Sequence, residues 1–171
     1  MVEMELLGVQ VEMPSNSPLM LLKETAAPGR VLPVVIDTPE AQAIYRGIEK
    51  IRMARPLTHD LMKTLLDDLG AEVVRVTVTE LRDRTFFAEV ELELAGLTKV
   101  VSARPSDAVA LAVRTGSPIF ATEEVLAEAG QFIETPADEL DDEGDGAEDA
   151  DPDELLDEFK QFLDGVSPDD F

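Results

Sequence analysis

The chain has 171 residues, with 14 Lys and Arg against 37 Asp and Glu, so its net charge is −23 at pH 7. That length fits one ordinary domain plus an appendage and excludes two large domains, and the absence of cysteine excludes a disulfide framework, a thiolate metal site and a cysteine nucleophile. The acidic start Met1-Val2-Glu3-Met4-Glu5 lacks the basic residues of a signal peptide, and no apolar run reaches membrane-spanning length, so a soluble, cytoplasmic protein with no membrane partner is expected.

The alternation Glu5-Leu6-Leu7-Gly8-Val9-Gln10-Val11-Glu12 predicts a first strand, and Pro14-Ser15-Asn16-Ser17-Pro18 predicts a turn before the apolar run Leu19-Met20-Leu21-Leu22. Val31 to Ile36 reads as a third strand. Asp37-Thr38-Pro39-Glu40 then opens a helix, with Thr38 as its cap and Pro39 at its first position. Arg46, Lys50, Arg52 and Arg55 form the one basic cluster, with Arg46 and Lys50 on one helix face; such a cluster tracks a phosphate backbone or simply faces solvent. A second helix spans Thr58 to Leu69 and stops at Gly70. Strand-like runs follow at Val73 to Thr79, Phe86 to Leu94 and Lys99 to Ser102, and within them Phe86-Phe87-Ala88 reads as core rather than as a base-stacking platform. Pro105 opens a helix to Arg114, stopped by Gly116, and after a short Pro118-Ile119-Phe120 strand Thr122 caps a last helix.

Three strands followed by helices thus occur twice. Val34-Val35 before Pro39 matches Val100-Val101 before Pro105 at a constant offset, which reads as internal duplication. The fold class expected is α+β: duplicated strand-strand-strand-helix-helix units, an antiparallel or mixed sheet, and helices packed on it. This body occupies residues 1–133. Residues 134–171 carry −16 of the net charge. Residues 134–151 read as an acidic disordered linker, since the stretch has almost nothing to bury and repels itself. Within 152–171, Pro152 follows an Asp cap, and Leu155, Leu156, Phe159, Phe162 and Leu163 line one face of a short helix. So short a helix is marginal alone in water, so docking on its own body or on a sister subunit is expected.

Three segments bring polar residues to helix starts: Asp37-Thr38-Pro39-Glu40, Arg55-Pro56-Leu57-Thr58-His59-Asp60 and Arg104-Pro105-Ser106-Asp107. Helix N-termini suit anions, so Arg55, Thr58, Arg104 and Ser106 are candidate phosphate-binding residues. The same residue types serve equally as ordinary caps and first-turn charges. His59, the single histidine, is a candidate base beside Asp60, because an unperturbed imidazole titrates near neutral pH. Neighbouring helix positions point about 100° apart, so the two need not act on one substrate. His59, Asp60 and Asp107 form the candidate catalytic set. Glu40, Asp60 and Asp107 are the carboxylates that could hold Mg²⁺ or Mn²⁺, which prefer oxygen ligands. No Walker loop, dinucleotide glycine fingerprint, zinc-protease pair or serine elbow is present.

At these residues the sequence closely resembles the bifunctional nuclease domain family, from about Glu3 to Phe132. The strongest pieces are Arg55-Pro56-Leu57-Thr58-His59-Asp60-Leu61 and Ala103-Arg104-Pro105-Ser106-Asp107-Ala108, supported by Glu40-Ala41 to Ile44, Phe86-Phe87-Ala88 and Pro118-Ile119. The tail ending Ser167-Pro168-Asp169-Asp170-Phe171 looks like that of actinobacterial members, and Ser102 stands where many members carry Asp. The resemblance implies DNase and RNase activity, a duplicated α+β fold and a homodimer or higher homo-oligomer. It carries over no established catalytic residues. Two functions follow as expectations: a metal-dependent phosphodiesterase acting on DNA or RNA, or a non-catalytic oligomeric binding module whose acidic tail engages a partner or shields a basic groove. The body's net charge of −7 requires any nucleic-acid surface to be a local patch.

Overall fold

The computed structural model describes residues 1–12 and 16–132. The expectations for 134–151 and 152–171, and Pro14 and Ser15 of the first turn, lie outside the described residues. The first meander is β1 (Val2–Glu12), β2 (Ser17–Glu24) and β3 (Val31–Val35), followed by helices α1 (Thr38–Ile48) and α2 (Thr58–Leu69). The second meander is β4 (Ala71–Arg82), β5 (Thr85–Leu94) and β6 (Leu97–Ala103), followed by α3 (Pro105–Thr115), β7 (Ile119–Ala121) and α4 (Glu123–Ala129). The second meander turns through Asp83-Arg84 and Ala95-Gly96, all four residues at positive φ, the geometry that tight two-residue hairpins require.

The seven strands form one sheet in the order β3-β2-β1-β7-β4-β5-β6. Each meander is antiparallel within itself. The two are joined by β7 alone, antiparallel to β1 and parallel to β4, so the sheet is mixed. The arrangement is symmetric about β7, with each meander running outward from it to its third strand. The duplicated α+β reading is therefore realised in the topology. Register shifts at Leu6/Gly8 in β1 and at Val73/Arg75 and Val78/Glu80 in β4 mark bulges, which increase local twist.

The core is built from Met20, Leu22, Leu32 and Val34 of the first meander and Val76, Val78, Ala88 and Val90 of the second. α3 lies at its centre, against α1 and α2 on one side and β4 and β5 on the other. Its run Ala108-Val109-Ala110-Leu111-Ala112 is buried throughout, and small side chains suit a helix hemmed in from several directions. α1 approaches α3 closely at Gly47, where an added Cβ would stand 2.9 Å from Arg114 Nη1 and 3.0 Å from a Val113 methyl. Thr122 caps α4, its Oγ1 accepting from Val125 N at 3.3 Å and donating to Thr79 O at 3.1 Å. Gly70 and Gly116 end α2 and α3 in the left-handed conformation expected of them.

Three local expectations are corrected. Asp37, not Thr38, holds the N-cap position of α1, with Thr38 already helical. Arg46 and Lys50 do not share a helix face, because α1 ends at Ile48 and Lys50 is left-handed with φ 52°. Phe86 and Phe87 are half-buried rather than core, and the Arg82 guanidinium lies 4.5 Å above the Phe87 ring.

Candidate active site

Three helix starts supply the polar residues, and the fold brings them together through direct side-chain contacts. Arg104 is the N-cap of α3, and its guanidinium turns back over the first helical turn. Nε donates to Asp107 Oδ2 at 2.7 Å, and Nη2 donates to Asp107 Oδ1 at 3.2 Å and to Glu40 Oε1 at 2.7 Å. One arginine thus ties the start of α3 to the start of α1. Asp107 Oδ1 also meets His59 Nε2 at 3.0 Å, which brings in the start of α2. Glu40, Arg104, Asp107 and His59 form one continuous chain across three helix N-termini.

Burial differs sharply along this chain. His59 is only 7% exposed, whereas the Arg104 side chain is 57% exposed and presents its cationic head to solvent. Burial pushes the Asp107 carboxyl upward, but the hydrogen bonds and charges of Arg104 and His59 outweigh it and hold the group below the ordinary carboxylate value. Arg104 is stabilised in its charged form by the hydrogen bonds to Asp107 and Glu40. Glu40 Oε2 is buried and has no hydrogen-bond partner, an exception that a protein rarely tolerates without a use.

Asp60 belongs to a different pair. Its Oδ1 accepts from Arg114 Nε at 2.6 Å, its Oδ2 accepts from Leu57 N at 3.0 Å, and Arg114 Nη1 donates on to Ala110 O at 2.8 Å. The Asp60 contact to Leu57 is half of a capping box, since a leucine side chain cannot supply the reciprocal acceptor. The Arg114 hydrogen bond foremost holds the Asp60 carboxyl below its usual range. Asp60 therefore fastens α2 to α3, and the turn of one residue along the helix separates it from His59. Arg114, 8% exposed, escaped the sequence reading because a basic residue in a helix's last turn is usually accounted for by the helix dipole.

Of the phosphate-binding candidates, Arg104 and Ser106 lie together at the start of α3. Arg55 and Thr58 are exposed at and before the start of α2, and neither makes a hydrogen bond or ion pair among the described residues. The three carboxylates considered for Mg²⁺ or Mn²⁺ do not converge: Glu40 and Asp107 are bridged by a guanidinium, and Asp60 is bound to Arg114. Among the described residues no group of three or more His, Asp or Glu side chains is placed to hold a metal ion. As placed, these residues do not fit a divalent cation, since Arg104 already fills the position between two of the donors.

Beside Arg104 opens a cleft of about 310 Å³. Its walls are the end of β3 from Pro33 to Ile36 with Asp37, the β4–β5 turn at Arg84, Thr85 and Phe86, and the start of α3 from Arg104 to Ser106. Arg84 was not singled out in the sequence, where a lone arginine in a hairpin turn carries no signal.

A family model described as the bifunctional nuclease domain matches residues 20–134. The chain belongs to that family. An uncharacterized protein of Mycobacterium tuberculosis is 43% identical over 169 residues, covering 99% of this chain and 97% of that protein. Bifunctional nuclease 1 of Arabidopsis thaliana is 31% identical over 105 residues, covering 60% of this chain and 32% of its own length. Bifunctional nuclease 2 of the same plant is 32% identical over 103 residues, covering 58% of this chain and 31% of its own. Nuclease-type function is thus indicated at the level of the family. Among the described residues no helix is long and apolar enough to cross a membrane.

Proposed function

We propose that this member of the bifunctional nuclease domain family is a cytoplasmic phosphodiesterase acting on DNA or RNA, with its site at the start of α3. The observation that supports this most is Arg104, an exposed guanidinium held by two carboxylates at the meeting of three helix N-termini. A phosphodiester competes with those carboxylates for the same planar donors, because Arg matches phosphate in fork geometry. Once Arg104 turns to the phosphate, Asp107 loses the strongest interaction keeping its proton affinity low, and Glu40 loses its partner. Asp107 thereby becomes a better proton acceptor at the moment substrate arrives. His59, nearly buried, orients Asp107 through its Nε2 contact with Oδ1 at 3.0 Å. Arg104 offsets the charge that develops on the phosphoryl oxygens.

The experiment is cleavage of labelled single-stranded DNA and RNA by highly purified protein, with Mg²⁺, with Mn²⁺ and with EDTA, alongside Arg104→Gln and Asp107→Asn prepared identically. Cleavage lost in both folded variants locates the site. Equal cleavage by every preparation identifies a contaminant. Loss in EDTA alone would assign a metal requirement that these donors do not explain.

A second reading, a non-catalytic oligomeric binding module, is favoured by one observation: Asp60 and Asp107 are already paired with arginines, and Glu40 shares Arg104. Absence of cleavage by the natural sequence would decide for it. Under either reading we propose a homodimer or higher homo-oligomer, because edge strand β6 exposes Leu97, Val100 and Val101, and α2 exposes Leu61, Leu65 and Leu69. Sedimentation velocity measures this directly, and a monomer at all concentrations would exclude it.

A further inference from the structure

We infer that the cleft beside Arg104 is a subsite for a single nucleotide of a single-stranded nucleic acid, with Arg84 and Ser106 as its phosphate-binding residues. The inference rests on the nucleic-acid reading given above and deepens it. Three independent features converge on this cleft. The first is Ser106, which is only 5% exposed yet lines the cleft, and whose hydroxyl has no hydrogen-bond partner among the described residues. A serine in a helix's first turn is normally satisfied locally, so one left unpaired on the wall of a cleft is free to bond a ligand there.

The second feature is the start of α3 itself. Its N-cap is an arginine with no side-chain cap hydrogen bond, and Pro105 occupies the first turn. The backbone N–H groups of Ser106 and Asp107 are therefore left uncapped, beside the positive end of an 11-residue helix. The third is Arg84, which lines the same cleft and is exposed and without an ion pair among the described residues. Although the body carries 20 acidic residues, this cleft is lined by Arg84 and Arg104 against the single carboxylate of Asp37, which makes it a local positive site.

Size and lining then choose the substrate class. About 310 Å³ is at the lower end of small-molecule sites and admits one nucleotide, not a duplex. Phe86 and Pro33 supply apolar lining, and a base freed from its stack packs against an aromatic ring irrespective of its identity. A paired base cannot reach that surface. The site accordingly reads a phosphate and one unpaired base, adjacent to the Arg104 that we assign to the scissile phosphate.

The test is fluorescence-anisotropy titration of the full chain with labelled oligothymidylate, with unlabelled thymidine 5′-monophosphate as competitor and a blunt hairpin duplex as control, at several salt concentrations. Arg84→Gln is expected to weaken oligothymidylate binding about tenfold and to lower the slope of log K against log salt by about one. Ser106→Ala is expected to weaken both ligands about fivefold, and Phe86→Leu the oligomer by a similar factor. Arg84 is exposed, so its variant folds, and Arg84→Lys should recover part of the salt slope. Wild-type affinity and slope in Arg84→Gln would overturn the assignment, as would failure of the natural sequence to bind oligothymidylate. Duplex bound as tightly as single strand, with the same Arg84 dependence, would overturn the single-strand commitment. Binding that obeys Arg84 without any cleavage would leave the subsite standing and remove the nuclease reading alone.

Discussion

The two halves of the sheet are built to one plan and finished differently. In the first, the third strand is core: Val31, Leu32 and Val34 of β3 are buried. In the second, β6 is exposed along nearly its whole length, with Val100 55% exposed on one face and Val101 49% exposed on the other. The helices that follow diverge in the same way. α1 begins with Asp37 and Glu40, which contribute only negative charge, whereas α3 begins with Arg104, Ser106 and Asp107 and brings the cationic group to a cleft that both helix starts line. Duplication gave two equivalent helix starts. The first became a support whose Glu40 holds the arginine of the second, and the second kept the groups that face solvent. A repeat can in this way separate scaffold from site without changing its backbone plan.

The largest expected effect tests that division directly. Asp107→Asn should lower cleavage about 100-fold, the scale seen when a preorganised polar group at a phosphoryl or acyl site is removed, while Glu40→Gln lowers it about tenfold. Equal losses in steady-state assays of the two variants would erase the asymmetry between the helix starts. Next in size, Arg114→Met should cost about 2–3 kcal/mol of stability, because it removes the charge partner of Asp60 that fastens α2 to α3. Urea denaturation checks this, and a variant as stable as the parent would mean that α2 is held by something other than this pair.

Thr122→Ala should cost about 1 kcal/mol through loss of the α4 cap, read as a lowered melting temperature with the site intact. The smallest effect is on pH. Asp60 and Asp107 are held below their ordinary value, foremost by the Arg114 hydrogen bond at Asp60 and by Arg104 and His59 against burial at Asp107. A carboxylate with a depressed folded-state value adds stability above its unfolded value, about 3.9, and loses it as pH falls through the folded one. Stability measured by circular dichroism should therefore fall below about pH 4, and Asp60→Asn should flatten that limb. An unchanged limb in Asp60→Asn would show that the stability comes from elsewhere.

Much of the fold was legible because its signals are local. Gly70 and Gly116 stop helices as glycines do, Pro39 and Pro105 stand in first turns, and the repeated Val-Val before each proline marks the duplication that the sheet order realises. His59 and Asp107 were legible as chemistry-bearing residues, but their contact spans 48 positions and no sequence spacing encodes it. Asp60 misled for the opposite reason. Its neighbour in sequence is His59, while its partner in space is Arg114, 54 positions away. Arg84 and the exposure of β6 were illegible because both depend on what packs across the sheet, not on the residues beside them. Val100 and Val101 read as part of a strand, and the sequence does not say that this edge strand is left bare whereas the opposite edge strand, β3, is largely buried.

The narrow joint at β7 has a consequence for how the chain is made. Three residues, Ile119 to Ala121, bond to β1 on one side and to β4 on the other, and no direct pairing links the two meanders. During synthesis on the ribosome each meander can form from local contacts as soon as its own hairpins emerge, but the halves cannot be sewn together until residue 121 has left the exit tunnel. Until then β1 and β4 each present an open edge to solvent, and any nascent chain halted before Ala121 has emerged carries both edges unpaired. A stall before β7 has cleared the tunnel leaves an aggregation-prone fragment, whereas a stall after Ala121 has emerged leaves the two meanders joined.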